Sequence, residues 1–530
     1  MGQRDGWWPF AVIAAPFVIG WMLVAPWQNV PVIDDWAYAW SVEHLLRTGH
    51  LAVSDRSSIY PIAQILWGWL FARVAGGFSF GILRLSTVVV ATVGCWAVYL
   101  FLRELAFGVA VSVLAALTLA LYPAYFVLSF TFMTDVPFVA LSAVAMYFYV
   151  AGVRRDRPPL LWWAALFALL AFLVRQVGIV LPCAAFAAID RSAFTRRAIA
   201  RFWVPLIVGA AIIGGAWIVL PHLFGGLPVI ELREQNAQGL TFLDPSDYAS
   251  WNIELLFIVA FPWAALLLCP MLRWKRFLLI AAVAILIAAG ARLLTGSVPT
   301  PLPDQDTWSV QDMAMRTNLV GGDLPPSPWV ARVTPALEAA GALVAASLIV
   351  GLGWLRKSEW RAGRIIVAGG LLNLLVINIL WVYYDRYYLI LAPTLAYLAS
   401  APLLDTRVGR WPAAIVLVFW ASLGIPGTRA VIATNAAVAR MTLDQEQQGT
   451  RMIDIDAGYS LNAWRLYAHP ENLPPGLDPH ADIPFVSNDA AAPYAIVTTP
   501  GPGDDVIETQ ALPSAWWQRQ GHLYLVHRRP

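Results

Sequence analysis

Long uncharged apolar runs decide what this chain can become. Pro9 to Trp27, Gly81 to Leu102 and Val136 to Val153 each approach the length of a helix that crosses roughly 30 Å of hydrocarbon. Similar runs extend from Phe107 to Tyr122, Leu160 to Val174, Val177 to Ile189 and Phe202 to Leu220. Others cover Ile253 to Leu272, Phe277 to Leu294, Ala336 to Leu355, Ile365 to Tyr383, Leu389 to Leu404 and Trp411 to Ile425. Together they predict an all-α polytopic membrane protein of about thirteen transmembrane helices. Composition agrees: 59% of the 530 residues are hydrophobic and 13% are charged. That is about half the charged fraction of a soluble protein. Many of the 26 tryptophans, among them Trp27, Trp203, Trp354 and Trp411, fall near run ends, where indole suits the headgroup zone.

The first run is long for a signal peptide, and its leading segment is nearly neutral, so it reads as a retained span. Cys95, Cys183 and Cys269 all lie inside apolar runs and read as small buried residues, not a disulfide framework.

The stretch from Tyr60 to Gly77 is ambiguous, and charge parity settles it. If it lies in the interface, the basic loops at Arg154, Arg191, Arg273, Arg356 and Arg407 share one side with Arg103. Positive-inside asymmetry then makes that side, and the N-terminus, cytoplasmic. This topology puts Asn29 to Tyr60, Tyr122 to Asp135, Phe224 to Asn252 and Thr295 to Pro335 outside. It divides the chain into a membrane domain, 1–427, and an extracytoplasmic domain, 428–530. Within the latter, YAIVTT at Tyr494 and HLYLV at His522 look like strands among turns, predicting a small α/β unit.

Two adjacent acids, Asp34 and Asp35, follow the first span, with Tyr38 on the same face if a helix starts there. Nothing basic adjoins them. Asp135, in FMTDVPF, follows the third span in the same way, and Pro137 suits the first turn of a helix. A capping role and a chemical role both fit Asp135. Carboxylates outside a membrane suit the deprotonation of an attacking hydroxyl. If the leaving group is a lipid-linked phosphate, a cation must stabilise it, either arginine or a divalent metal. The arginine candidates are Arg386, ringed by Tyr383, Tyr384, Tyr387 and Tyr388, then Arg175 and Arg84. Snorkelling to the headgroups is the alternative for each of them. His44 and His222 are candidate metal ligands, although their spacing matches no metal motif.

Taken in order, DDWAYAWSVEHLLRTGHL, LRLS at Leu83, FMTDVPF and DRYYLILAP resemble the lipid-phosphate-dependent membrane glycosyltransferases. These include the protein O-mannosyltransferases and the aminoarabinose transferases of lipid A. The resemblance implies a GT-C membrane fold with juxtamembrane helices in the first external loop. It also implies a bacterial inner-membrane location and inverting transfer of a sugar from a polyprenyl phosphate at the outer face. The acceptor would be a lipid, a glycan or a protein. Carried over by position, Asp34 becomes the base or acceptor-binding acid, with Asp35 beside it. Asp135 becomes the second-loop acid and Arg386 a donor-phosphate contact. Tyr38, Tyr60, Tyr387 and Tyr388 are the expected substrate-binding tyrosines. The chain departs from the family at SSIYPIAQ, where Tyr60 stands in place of a lysine that meets the donor phosphate.

A transporter or lipid flippase is the competing class. Such proteins carry ionisable groups or broken helices near the midplane, often in paired repeats. Here the acids sit at span ends, Asn373 and Asn378 are the main polar residues inside a span, and no repeat is evident. A purely structural scaffold leaves the shared face of acids and Arg386 unexplained.

Overall fold

The structure, a computed structural model, describes residues 6–188, 202–225, 274–295, 339, 342–350, 357–377, 385–400, 410–479, 483, 492–516 and 521–528. It is mostly helical. Helix α1 (Trp8–Val24) opens with Pro9 in its first turn, where the missing N–H costs nothing. The first loop then carries α2 (Asp35–Thr48) and α3 (Ile62–Ala75). Helix α2 stops at Gly49, whose φ of +74° lets its N–H reach the Leu45 carbonyl. At 14 residues, α3 is too short to cross the bilayer, which agrees with the interfacial reading that charge parity required.

Helix α4 (Phe80–Glu104), capped by Ser79, packs against α7 (Asp135–Arg155). The two run side by side in the same direction. Midway, a Cβ on Gly94 would stand 2.6 Å from the Ala140 Cβ, so only glycine allows this approach. At their C-terminal ends Glu104 meets both Arg154 and Arg155. The chain returns between them through α5 (Val109–Leu121) and α6 (Pro123–Ser129), which is bent 65° from α5. Arg84 and Asp135 therefore lie at one end of the bundle, and Glu104, Arg154 and Arg155 at the other.

The segment from Tyr122 to Asp135, expected as an external polar loop, is buried and partly helical. Its aromatic content explains this: Tyr125, Phe126, Phe130 and Phe132 pack into the main core.

The expected span count is not reproduced among the described residues. Four helices there are long and apolar enough to cross, or five if α5 and α6 count as one span. Helix α8 (Pro158–Phe172) has 15 residues, and beyond Arg175 come the turn Gln176–Ile179, the short α9 (Val180–Ala185) and the turn Phe186–Ala188. Helices α10 (Val204–Phe224), α11 (Trp274–Thr295), α12 (Lys357–Ile377) and α13 (Ala392–Ser400) follow. The expected span Ile253 to Leu272 and the loops beyond Gly225 and Thr295 lie outside the described residues. Cys95 is buried as expected, whereas Cys183 is exposed and Cys269 is not described.

Helix α14 (Arg410–Gln447) has 38 residues, or about 57 Å of rise, nearly twice the hydrocarbon thickness. It continues well past the expected end at Ile425, and the expected domain boundary at Thr428 falls inside it. Beyond it a four-stranded sheet forms from β1 (Ile455–Asp456), β2 (Tyr494–Val497), β3 (Asp505–Ala511) and β4 (His522–His527), in the order β1-β2-β4-β3. The two strand-like pieces of the tail are β2 and β4, paired antiparallel. This unit rests on the first loop. Trp36 and Ala37 of α2 share an apolar cluster with Ala463, Leu466 and Tyr467, and Val30 joins Ala437 and Met441 of α14.

Candidate active site

The first loop turns sharply between Val32 and Asp35. The Asp35 N–H donates to the Val32 carbonyl (3.2 Å), and the Val32 N–H donates to Asp35 Oδ1 (2.7 Å). Ile33 takes φ +59°, a conformation that β-branched residues avoid, so this turn stores strain. The two acids end up differently. The side chain of Asp34 is 37% exposed, whereas Asp35 is wholly buried and also accepts from the Phe132 N–H at 3.4 Å. Burial pushes the Asp35 carboxyl up to about 7, against the pull of Arg84 and two backbone donors. Its bonds pin the turn and tie the first loop to the second.

Arg386 begins the helical turn Asp385–Leu391, with its side chain only 6% exposed. Its Nη2 lies 3.3 Å from Asp34 Oδ2. Its guanidinium sits 5.8 Å from the centroid of the Tyr387 ring, and Arg175 sits 5.0 Å from the same ring. Arg175 in turn holds Asp135, Nη1 to Oδ1 at 3.0 Å, and donates from Nε to Thr134 Oγ1 at 3.0 Å. Among the described residues neither Asp135 oxygen accepts a well-directed hydrogen bond, so charge couples this pair. Asp135 is the acid in the first turn of α7, and Thr134, at the N-cap, makes no side-chain cap bond.

Tyr38, buried on α2, stands among all four charges. Burial and then Asp34 raise its phenol to about 12, with Asp135 also raising it and Arg175 and Arg386 opposing. Two acids, two arginines and two tyrosines from four separate segments thus converge on one end of the bundle.

The remaining expected residues are placed as follows. Arg84 is fully buried and donates to the carbonyls of Pro26 (3.0 Å), Gln28 (2.7 Å) and Val30 (2.5 Å). Its guanidinium braces the chain that rises into the first loop. Tyr60 is exchanged with Gln176 through two hydrogen bonds: its N–H donates to Oε1 (3.2 Å) and its carbonyl accepts from Nε2 (3.1 Å). Its hydroxyl donates to the Gly225 carbonyl at 2.9 Å. Tyr388 is fully buried in the main core, while Tyr383 and Tyr384 lie outside the described residues. His44 stacks on Trp40 with centroids 5.0 Å apart, and His222 sits near the end of α10. No group of three His, Cys, Asp or Glu side chains gathers among the described residues, so neither histidine is part of such a cluster. The cations that these residues bring to the acids are Arg386 and Arg175.

Two residues had no sequence signal. Tyr459, at the start of the short helical turn Tyr459–Asn462 after β1, stands beside Asp34, and its ring meets Trp36 edge to face at 6.2 Å. Burial, then the Asp34 charge, raises its phenol. Next to it, Ser460 Oγ donates to the Ile33 carbonyl at 2.9 Å.

Residues 61–224 match the family model of the dolichyl-phosphate-mannose-protein mannosyltransferases. The expected resemblance to lipid-phosphate-dependent glycosyltransferases is confirmed over this segment. It includes Arg84, Asp135 and Arg175, whereas Asp34, Arg386 and Tyr459 lie outside it. No curated protein sequence matches the chain. Solved structures that match include the oligosaccharyltransferase of Archaeoglobus fulgidus in its apo form, at 15% identity and TM-score 0.46. That match covers 83% of this chain, and the chain spans only 58% of the archaeal enzyme's length. ArnT from Cupriavidus metallidurans in the apo state matches at 12% identity and TM-score 0.49, covering 97% of each chain. The Saccharomyces cerevisiae Pmt1-Pmt2 complex, bound to its sugar donor, matches at 13% identity and TM-score 0.34, over 41% of this chain and 34% of the other.

Proposed function

We propose that this chain is a GT-C membrane glycosyltransferase that moves a sugar from a polyprenyl phosphate to an acceptor hydroxyl, with inversion, at the extracytoplasmic face. The observation that carries this reading is the 3.3 Å approach of Arg386 to Asp34, joined through the Tyr387 ring to Arg175 and Asp135. An isolated base or an isolated phosphate site would need only half of this arrangement.

In this reading Asp34, the more open acid, takes the proton from the acceptor hydroxyl as its oxygen bonds to the anomeric carbon. The bond from that carbon to the phosphate oxygen breaks on the opposite face, and the electron pair leaves with the phosphate. Arg386 and Arg175 carry the charge that develops there, in a partly buried setting where each contact is stronger than in water. Asp135 holds Arg175 in place. Arg175, whose chain neighbour Gln176 pairs with Tyr60, takes over in this reading the phosphate contact of the family's lysine. Tyr38 and Tyr387 line the sugar. Arg154 and Arg155 gather at the far end of α4 and α7, so positive-inside asymmetry puts the acids outside. The sheet-bearing unit beyond α14 then forms the extracytoplasmic domain.

The test is consumption of lipid-linked sugars by purified protein with membrane extract as acceptor. Wild type is expected to turn over, and Asp34→Asn to be slower by about two to four orders of magnitude. Full turnover in that variant removes Asp34 from the mechanism. Movement of lipid across vesicles without a new glycosidic bond replaces the reading with transport.

A further inference from the structure

The strained turn that carries Asp34 is held from outside the membrane bundle. Ser460 donates to the Ile33 carbonyl at 2.9 Å, and Tyr459 stands beside Asp34 with its ring edge to face on Trp36, so two neighbouring residues bear on the turn that carries Asp34. The residue between them in strain terms is Ile33, at φ +59°. A β-branched residue keeps such a conformation only where its surroundings hold it there.

The gripping loop is itself firmly built. Asp456, at the end of β1, accepts at Oδ1 from the Gly458 N–H and from Asn462 Nδ2, each at 3.1 Å. Asn462 Oδ1 accepts from the Ala457 N–H at 3.1 Å. Gly458 takes φ +78°, which glycine adopts without cost. Arg528, just past β4, stands 3.6 Å from Asp456 Oδ2 and fastens the loop to the sheet. The loop therefore has the rigidity of the sheet behind it.

From this we infer that Tyr459 and Ser460 are positioning residues for Asp34, which makes the C-terminal unit a working part of the active site and not only a cover over it. The inference rests on the proposed role of Asp34. Its logic lies in how the two partners of Asp34 respond to an arriving phosphate. Arg386 is drawn toward the anion and loosens its hold on the carboxylate. Tyr459 carries no charge and stays packed beside the carboxylate against Trp36. It holds the base in the rotamer that faces the acceptor at the moment when the ion pair weakens.

The experiment uses full-length protein in nanodiscs, with undecaprenyl phosphate as the lipid probe and membrane lipid-linked sugars as donors. Tyr459→Phe is expected to lower turnover about ten- to a hundredfold, as small misplacements of a catalytic group do, with undecaprenyl phosphate affinity unchanged. Tyr459→Gln, which keeps a donor, should recover part of the rate. Ser460→Ala should speed hydrogen exchange at residues 32–36. Wild-type turnover in Tyr459→Phe, or loss of lipid affinity in step with turnover, overturns the inference. If the wild type itself transfers no sugar, the functional reading fails separately. The exchange measurement then decides this one: unchanged exchange at residues 32–36 in both Tyr459→Phe and Ser460→Ala overturns it, and faster exchange upholds it.

Discussion

Arg386 and Asp34 are 352 positions apart in the chain and 3.3 Å apart in the fold. The pair is unequal: the guanidinium is nearly buried and the carboxylate is half open. In the proposed function a bound phosphate competes with Asp34 for the same cation, and donor binding releases the base. The planar fork of arginine suits two parallel N–H bonds to one phosphate, which the point charge of lysine does not. Arg386→Lys is therefore expected to weaken undecaprenyl phosphate binding about tenfold, the worth of one charge-assisted hydrogen bond. Titration of the lipid into purified protein measures this, and equal affinity in the variant removes Arg386 from the phosphate site.

Arg84 behaves as the opposite kind of arginine. It is spent on three main-chain carbonyls of residues 26 to 30, and Arg84→Met leaves them without a donor. Each buried polar group stranded in this way costs about 1–3 kcal/mol. The variant is expected to lose about 3 kcal/mol or more of stability and to melt well below wild type in detergent. Arg386→Lys should melt near wild type. Equal melting of wild type and Arg84→Met contradicts the bracing role.

Much of this site was legible in the sequence, and the reason differs from residue to residue. Asp34 and Asp135 stood out because a charge at the end of an apolar run is conspicuous, and Arg386 because tyrosines surround it. Arg84 drew the same attention, but no sequence pattern shows whether a guanidinium faces a cavity or a set of carbonyls. The helix Pro123–Ser129 was hidden for a related reason: its segment looked like a loop between spans, while its aromatic residues favour burial. Tyr459 and Ser460 were invisible. They sit in an ordinary turn after β1, and their meaning comes only from contact with a loop 427 positions earlier.

Asp35 gives the fold a pH dependence of its own. Its carboxyl rises from the ordinary 3.8 to about 7 because burial opposes ionisation. Between those values the folded chain binds more protons than the unfolded one, so stability falls as pH rises through that window. Asp35→Asn removes the titrating group, and its melting temperature should change less between pH of about 5 and 7.5 than that of wild type. Parallel curves for the two proteins would assign the slope to other groups.

His469 predicts the same direction at a different place. Its Nε2 lies 3.2 Å from Glu43 of α2 and its Nδ1 lies 3.1 Å from Glu471, while its ring meets Trp464 edge to face. The Glu43 bond is the main reason its proton is held more tightly than the ordinary 6.5, with Glu471 adding to it and burial opposing. A proton held more tightly in the folded state stabilises that state fully below 6.5, and the gain fades as pH rises through the raised value. The histidine is partly exposed, so solvent screening limits the effect to about 1 kcal/mol or less. Global melting should hardly register it. The effect should instead appear as faster hydrogen exchange in α2 and around residues 464–471 above neutral pH, because this contact joins the C-terminal unit to the loop that carries Asp34. In His469→Ala that exchange should be fast at every pH, and a pH response surviving in the variant would place the sensor elsewhere.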